Sequence, residues 1–414
     1  AGAAQAQSSV TVYGILDVGY VGGNAKANTI NATGGQINPQ ENVSLFGQSA
    51  QTTSRLGFRG TEDLGGGLSA QFVFETGLSP NSSTLSGFNN RQAFIGLAQK
   101  GMGNARIGTQ YTPIHEAVGA TGANQLNNLV GDVIYPQNTG LTNRDGSASN
   151  ANAGYTVRAN NMIRFETESM AGFKVKAFAV QNGRDENQTS YPTTSSSTAT
   201  AAYASGTGYT GGNTNQNGFG FGADFAWKKL LVTANYQSFT NENSWTEQVN
   251  AVPVGVAAAA ATTRTQAAQS GLLTNTKDNQ MYAGATYDFG ILKAYAQYVN
   301  RKITSGIDGN LYGKRSAQQI GVRGNISPKI ELWASGGLGR VSTFGASNPT
   351  QNFTGYQLGA NYILSKRTNL YGIFGATNTS TGTGTVELSN GTTSATRNFS
   401  SNANNYGVGV RHTF

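Results

Sequence analysis

The feature that most constrains this chain is a period of two that returns in sixteen segments. Ile330, Leu332, Ala334, Gly336 and Leu338 alternate with Lys329, Glu331, Trp333, Ser335 and Gly337. Phe219, Phe221, Ala223, Phe225 and Trp227 alternate with Gly220, Gly222, Asp224 and Ala226, and Tyr356, Leu358, Ala360 and Tyr362 alternate with Gln357, Gly359, Asn361 and Ile363. Successive side chains of a strand leave on opposite faces, so each such segment is a strand with one apolar and one polar face. The segments run over 9–20, 53–61, 68–77, 90–99, 104–111, 160–168, 172–182, 218–227, 230–240, 279–288, 291–302, 316–326, 329–341, 354–364, 367–378 and 403–414. Most have about the 9–11 residues with which a tilted strand crosses a bilayer.

The connections alternate too. Thr61–Gly67, Lys100–Gly103, Ser169–Ala171, Lys228–Lys229, Phe289–Gly290, Ser327–Pro328 and Ser365–Lys366 are short. Residues 21–52, 78–89, 112–159, 183–217, 241–278, 303–315, 342–353 and 379–402 are long. In an even-stranded chain this places every tight turn at one end, as in transmembrane barrels with short periplasmic turns and long external loops. A barrel this wide encloses water, which suits a polar inner face. Closure also leaves no unpaired edge, as hydrocarbon requires. The expected fold is all-β, a 16-stranded antiparallel transmembrane β-barrel formed by residues 8–414 as a single domain. Residues 1–7 resemble the small-residue end of a secretory signal, cut near Ala6.

A soluble β-sandwich, repeat or adhesin also alternates, but its exterior is charged. Here charged residues are 12%, against roughly 25% in soluble domains, and the polar face is mostly Gly, Asn, Gln, Thr and Ser. Disorder is excluded by 18 tyrosines and 19 phenylalanines. No apolar window reaches the about 18 residues of a membrane helix; the alanine-rich run from Val252 to Thr262 is too short. The net charge of +8 is spread along the chain, without the basic patch of a nucleic-acid binder. Tyr13, Tyr20, Trp227, Tyr236, Tyr287, Tyr362 and Tyr406 lie near segment ends or on apolar faces, where bilayer-interface girdles belong.

Chemistry-bearing constellations are absent from the sequence. There is no cysteine, and the two histidines, His115 and His412, have no metal-ligand spacing and no nucleophile motif beside them. Gly65-Gly66-Gly67 reads as a turn, because no helix follows to cradle a phosphate. The expectation is no enzyme and no metal, with His412 facing lipid or the interface.

Several stretches resemble one family. Ser8–Asp17, reading Ser-Ser-Val-Thr-Val-Tyr-Gly-Ile-Leu-Asp, looks like the first strand of Gram-negative trimeric porins of the β-proteobacterial type. Ser54–Leu68, Asn90–Leu97 and the ending Asn405–Phe414 are similar to their second strand and first turn, fourth strand and last strand. The resemblance implies an outer-membrane homotrimer with three separate pores, a third long loop folded into each pore, and no cofactor. It implies that Phe414 is the signal read by the barrel-assembly machinery, and that lipid and lipopolysaccharide surround the barrel.

The resemblance also carries a pore-lining arginine cluster onto Arg55, Arg91 and Arg164. Leu56 and Phe58 face lipid by alternation, so Arg55 and Arg59 face the lumen; Ile163 and Phe165 place Arg164, Glu166 and Glu168 inward. Arg323 and Arg411 face in by the same rule. Arg91 shares parity with Ala93, Ile95 and Leu97, and inward is favoured because a lipid-facing arginine costs roughly 2–4 kcal/mol at midplane. The constriction loop is expected over Thr112–Ala159, carrying Glu116, Asp132, Arg144, Asp145 and Arg158, with the apolar stretch Leu126–Tyr135 to pack it against the wall. Arg106 joins the lining, but Gly108, Thr109 and Gln110 follow it where a second arginine is frequent in the family. The implied function is a general diffusion porin for small hydrophilic solutes, preferring anions. The alternative is a substrate-specific channel for small organic anions such as carboxylates.

Overall fold

The computed structural model describes residues 9–31, 33–83, 90–137, 154–191, 208–242, 245–247, 276–305, 309–310, 312–344, 349–387 and 394–414. In chain order the wall strands are β1 (Ser9–Ile30), β2 (Gln40–Gln48, resuming as Arg55–Gly65), β3 (Leu68–Gly77), β4 (Asn90–Gln99) and β5 (Gly103–Tyr111). Then come β6 (Arg158–Thr167), β7 (Phe173–Tyr191), β8 (Gly208–Trp227), β9 (Leu230–Glu242), β10 (Thr276–Asp288) and β11 (Lys293–Ser305). The last are β12 (Tyr312–Ser327), β13 (Ile330–Thr343), β14 (Gln351–Ile363), β15 (Thr368–Glu387) and β16 (Ser394–Thr413). One helix, α1 (Pro113–Thr121), follows β5.

Each strand pairs antiparallel with its sequence neighbours, and β16 returns to β1 from Ile15↔Thr413 to Asn28↔Ser400, closing the barrel. The seam is completed by Phe414, whose backbone N–H donates to the Gly14 carbonyl at 3.1 Å while Gly14 N–H donates back at 3.1 Å. Val10, Val12, Val18, Phe219, Phe221, Ile320, Val322, Leu358, Val408 and Val410 form exposed apolar rows, and Gln237, Gln280, Gln319 and Gln357 form buried polar ones. An exposed apolar face outside and a covered polar face inside is the arrangement a bilayer and an aqueous lumen require. His412 sits exposed at the turn end, its Nδ1 2.8 Å from Thr368 Oγ1.

The strands are longer than alternation shows. β1 runs on to Ile30, β7 and β8 pair out to Tyr191↔Gly208, and β15 and β16 out to Glu387↔Ser394. Residues expected in the long connections 21–52, 183–217 and 379–402 are therefore partly ladder. Hydrophobic alternation reports lipid, whereas backbone pairing continues into water through Thr, Asn and Gly. The second correction lies in β2, which is broken at 49–54. There the buried Asp17 carboxylate accepts from Gln51 N at 2.9 Å and Thr52 N at 2.6 Å, and from Tyr371 OH at 2.6 Å. The alanine-rich run 252–262 lies outside the described residues.

Candidate functional site: a cation-lined wall and the loop packed on it

Residues 112–137 leave β5 and pack on the polar face of the wall. Thr112 starts α1, its Oγ1 accepting from His115 N at 3.3 Å, with Pro113 in the first turn. Both choices satisfy helix-start geometry. Ile114, Ala117 and Val118 of α1 join Val133, Ile134, Tyr135, Tyr155, Tyr282 and Val299 in an apolar cluster between loop and wall. Thr121 Oγ1 bonds the Tyr282 hydroxyl. Beyond α1 the backbone is tied strand by strand. The Ala123 carbonyl accepts from Arg323 Nε at 2.8 Å, Val133 N donates to Gln319 at 3.0 Å, and the Val133 carbonyl accepts from Arg315 at 2.7 Å. Gln357 donates to the Leu129 and Val130 carbonyls at 2.9 Å, and Val130 N donates to Asn405 at 3.1 Å. Gly131, at φ +104°, lies so near the Tyr356 carbonyl that a Cβ would overlap it.

Opposite this anchored stretch, the wall from β2 to β8 carries the cations in two groups. In the first, Glu75 receives Arg91 Nε at 2.7 Å and Arg55 Nη1 at 3.7 Å, and Tyr13 OH donates to it at 3.2 Å. Arg91 Nη2 also donates to Tyr111 OH at 2.6 Å, Arg158 lies 5.7 Å from the Tyr111 ring centre, and Arg59 lies 5.3 Å from that of Tyr13. Two guanidinium groups, those of Arg55 and Arg91, thus meet one carboxylate, and those of Arg59 and Arg158 stand over the tyrosines bonded to that carboxylate and to Arg91. In the second group, Glu166 receives Arg106 at 3.1 Å, Arg164 at 2.9 Å and Lys174 at 2.9 Å, while Lys176 pairs with Asp224 at 2.6 Å. This group is nearly neutralised, because Arg164 also grips both Glu116 oxygens and donates to the Tyr111 carbonyl at 3.0 Å.

Two expected lining residues are placed otherwise. The Arg164 side chain is 1% exposed. It clamps α1 to the wall through Glu116, whose own side chain stays 33% exposed. Asp132 is buried as well: Oδ1 accepts from Ile134 N at 2.7 Å and Tyr135 N at 2.9 Å, and Oδ2 from Asn124 at 2.5 Å. It closes a turn of the loop, and burial pushes its carboxyl above the usual range. Arg55, Arg59, Arg91 and Arg158 are brought together as one group; Arg106 joins the other. Arg144 and Asp145 lie outside the described residues.

The parity of Arg91 has a structural cause. Gln92 pairs with Glu75 and Asn90 with Thr76, so Arg91 is the extra residue of a β-bulge and turns inward despite its even spacing from Ala93. Tyr111, which links the two cation groups, was missed, as were Lys174 and Lys176. The lysines were legible: Phe173-Lys174-Val175-Lys176 alternates, and Phe173 and Val175 are exposed. His115 packs at 4.5 Å from the Tyr111 ring and its Nδ1 lies 3.1 Å from Tyr155 OH. Burial, then the charges of Arg158, Arg91 and Arg55, push its pKa down to about 3, so it is neutral. Among the described residues no three His, Cys, Asp or Glu side chains gather as a metal site.

A closed sixteen-stranded wall, apolar outside and polar inside, defines a transmembrane barrel around a pore. A family model described as Gram-negative porin matches residues 1–383. Outer membrane porin protein 32 of Delftia acidovorans is 26% identical over 392 residues, covering 90% of this chain and 84% of that protein. An outer membrane porin protein of Bordetella pertussis is 35% identical over 181 residues, 42% of this chain and 43% of that relative, so that match spans less than half of either. Among solved structures, an anion-selective porin from Comamonas acidovorans aligns with a TM-score of 0.62 at 22% identity, covering 99% of this chain and 100% of that one. OmpT of Vibrio cholerae in its trimer form aligns with a TM-score of 0.57 at 14% identity over 98% and 99%. The chain belongs to the Gram-negative porin family of the outer membrane.

Proposed function

We propose that this protein is a general diffusion porin whose pore prefers anions, and that Arg55, Arg59, Arg91 and Arg158 set the preference. The observation that carries the reading is that these four cations are linked through Glu75, Tyr13 and Tyr111, with Glu75 the one carboxylate paired to any of them among the described residues. Arginine stays protonated and presents a planar fork of donors. Unit charges 4 Å apart interact by about 1 kcal/mol in bulk water and about 4 kcal/mol at an effective dielectric near 20. A water-filled neck lies between these limits, enough to bias ion flux without holding an ion. The segment 112–159 is the part that narrows the lumen; the contacts of 112–137 with the inner wall support this.

Replacing Arg55, Arg91 and Arg158 by serine is expected to move the reversal potential in planar bilayers under a salt gradient toward cation preference. An unmoved reversal potential refutes the assignment. Cation preference of the unaltered protein refutes the anion reading and leaves the porin reading standing. The Delftia and Comamonas relatives, named as a porin and an anion-selective porin, point the same way. Assembly as a trimer in lipid and lipopolysaccharide, with Phe414 presented to the assembly machinery and no catalytic role, completes the reading.

A dedicated channel for small organic anions is the second reading. Arg55 keeps 20% of its side chain exposed and Arg59 is exposed, and a carboxylate passing the neck would meet them. It is expected to show as saturable block of chloride current by a small carboxylate; linear current at rising carboxylate favours the general porin.

A further inference from the structure

We propose that the outer face of β11–β15 holds an anionic glycerophospholipid of the periplasmic leaflet, with an acyl chain in a wall groove and the phosphate under the basic turns at the rim. The groove measures about 730 Å³ and is almost wholly apolar. Its floor is Ala360 and Gly372, which pair with each other across β14 and β15, and Leu358, Phe374, Ile326 and Ile291 stand around it. A Cβ at Gly372 would meet only Val408 Cγ1 at 3.9 Å, so the depression is open space rather than a packed seam. A chain lying here removes apolar protein and lipid surface together, with no backbone polar group to satisfy.

The second, independent observation is charge. The tight turns between β8 and β15 carry Lys228, Lys229, Lys329, Lys366 and Arg367, all exposed. Of the nearby acids, Glu331 pairs with Arg323 at 2.8 Å, and the exposed Asp288 is a single carboxylate against these five cations. On the other side of the same rim the turns carry Glu62, Asp63 and Glu168 against Lys100. The cations are thus gathered on the half of the rim that lies over the groove. Tight turns are periplasmic in such barrels, so this cluster meets the headgroups of the inner leaflet, and basic groups at a membrane surface attract anionic lipid. Exposed Trp227, Tyr287 and Tyr362 sit at the same level, where amphipathic rings mark the interface.

The test uses the full-length porin in nanodiscs of phosphatidylcholine with a minor share of phosphatidylglycerol, extracted into mild detergent and weighed by native mass spectrometry. Phosphatidylglycerol is expected to be retained over phosphatidylcholine. K329Q/K366Q/R367Q is expected to lose that selectivity, by about fivefold per cation removed, with single-channel conductance unchanged. G372L is expected to lose both lipids, and A360V reads the same point if G372L does not fold. Equal retention of the two lipids by the unaltered protein overturns the proposal. So does selectivity that survives the triple substitution, or a second protein copy found against this face in place of lipid.

Discussion

At the scale of single residues, what a side chain does here depends on which neighbour reaches it first. Arg91 and Arg164 are both arginines of the inner wall, yet Arg91 shares one carboxylate with Arg55 while Arg164 is consumed by Glu116 and Glu166. Alternation placed Arg55 and Arg164 on the correct face. It gave no account of Arg91, because the bulge that turns it inward is a property of the pairing with β3 and leaves no mark in its own strand. His115 offers a test at this scale. Its folded pKa of about 3 lies below the ordinary value near 6.5, so between these pH values the unfolded chain binds a proton that the folded one does not. The stability it confers is full above pH 6.5 and falls as pH drops toward 3, by about 3 kcal/mol at pH 4. Asp132 acts with the opposite sign, since its raised carboxyl pKa lets acid relieve a penalty. His115→Phe removes the partner of the Tyr155 hydroxyl at every pH, so the linkage is read from the pH dependence: the variant is expected to lose less protease resistance between pH 7 and pH 4 than the unaltered chain does. An equal loss in the two would count against this linkage.

At the scale of elements, the loop is held by backbone contacts as much as by side chains. The Ala123, Leu129, Val130 and Val133 carbonyls all accept from wall side chains. Such groups cost free energy if buried without a partner, so the wall's glutamines and arginines are there to meet them. Close approach is made possible by glycines: Gly131 in the loop, and Gly355, Gly375 and Gly407 on the wall beneath it. Gly131→Ala would both strain a left-handed φ and drive a methyl into the Tyr356 carbonyl. We expect about 1–3 kcal/mol of lost loop anchoring, read as faster proteolysis within 112–159 and noisier single-channel current. A quiet, protease-resistant variant would show that the loop can settle elsewhere. The sequence marked the apolar stretch Leu126–Tyr135 as the part of 112–159 that packs on the wall, and it does; which strands it meets, and the side chains that satisfy its backbone, came only from the tertiary structure.

At the scale of the whole molecule, the barrel is one closed ladder whose last residue meets its first strand. Phe414 bonds Gly14 through both backbone groups and lays its ring where a Gly14 side chain would stand. Phe414→Ala is expected to lower the amount of assembled barrel in the outer membrane several-fold while leaving the conductance of assembled channels unchanged; undiminished assembly would remove the residue from that role. Sixteen strands, their faces and the alternation of turn and loop were determined by the sequence alone, because lipid on one side and water on the other impose a period that no soluble surface repeats sixteen times. The tertiary structure decided what that period cannot carry. It set how far the strands run beyond the lipid, where β2 breaks around Asp17, which arginines remain around a single carboxylate and which are spent on the loop. Those are outcomes of pairing between residues tens to hundreds of positions apart, and local periodicity has no term for them.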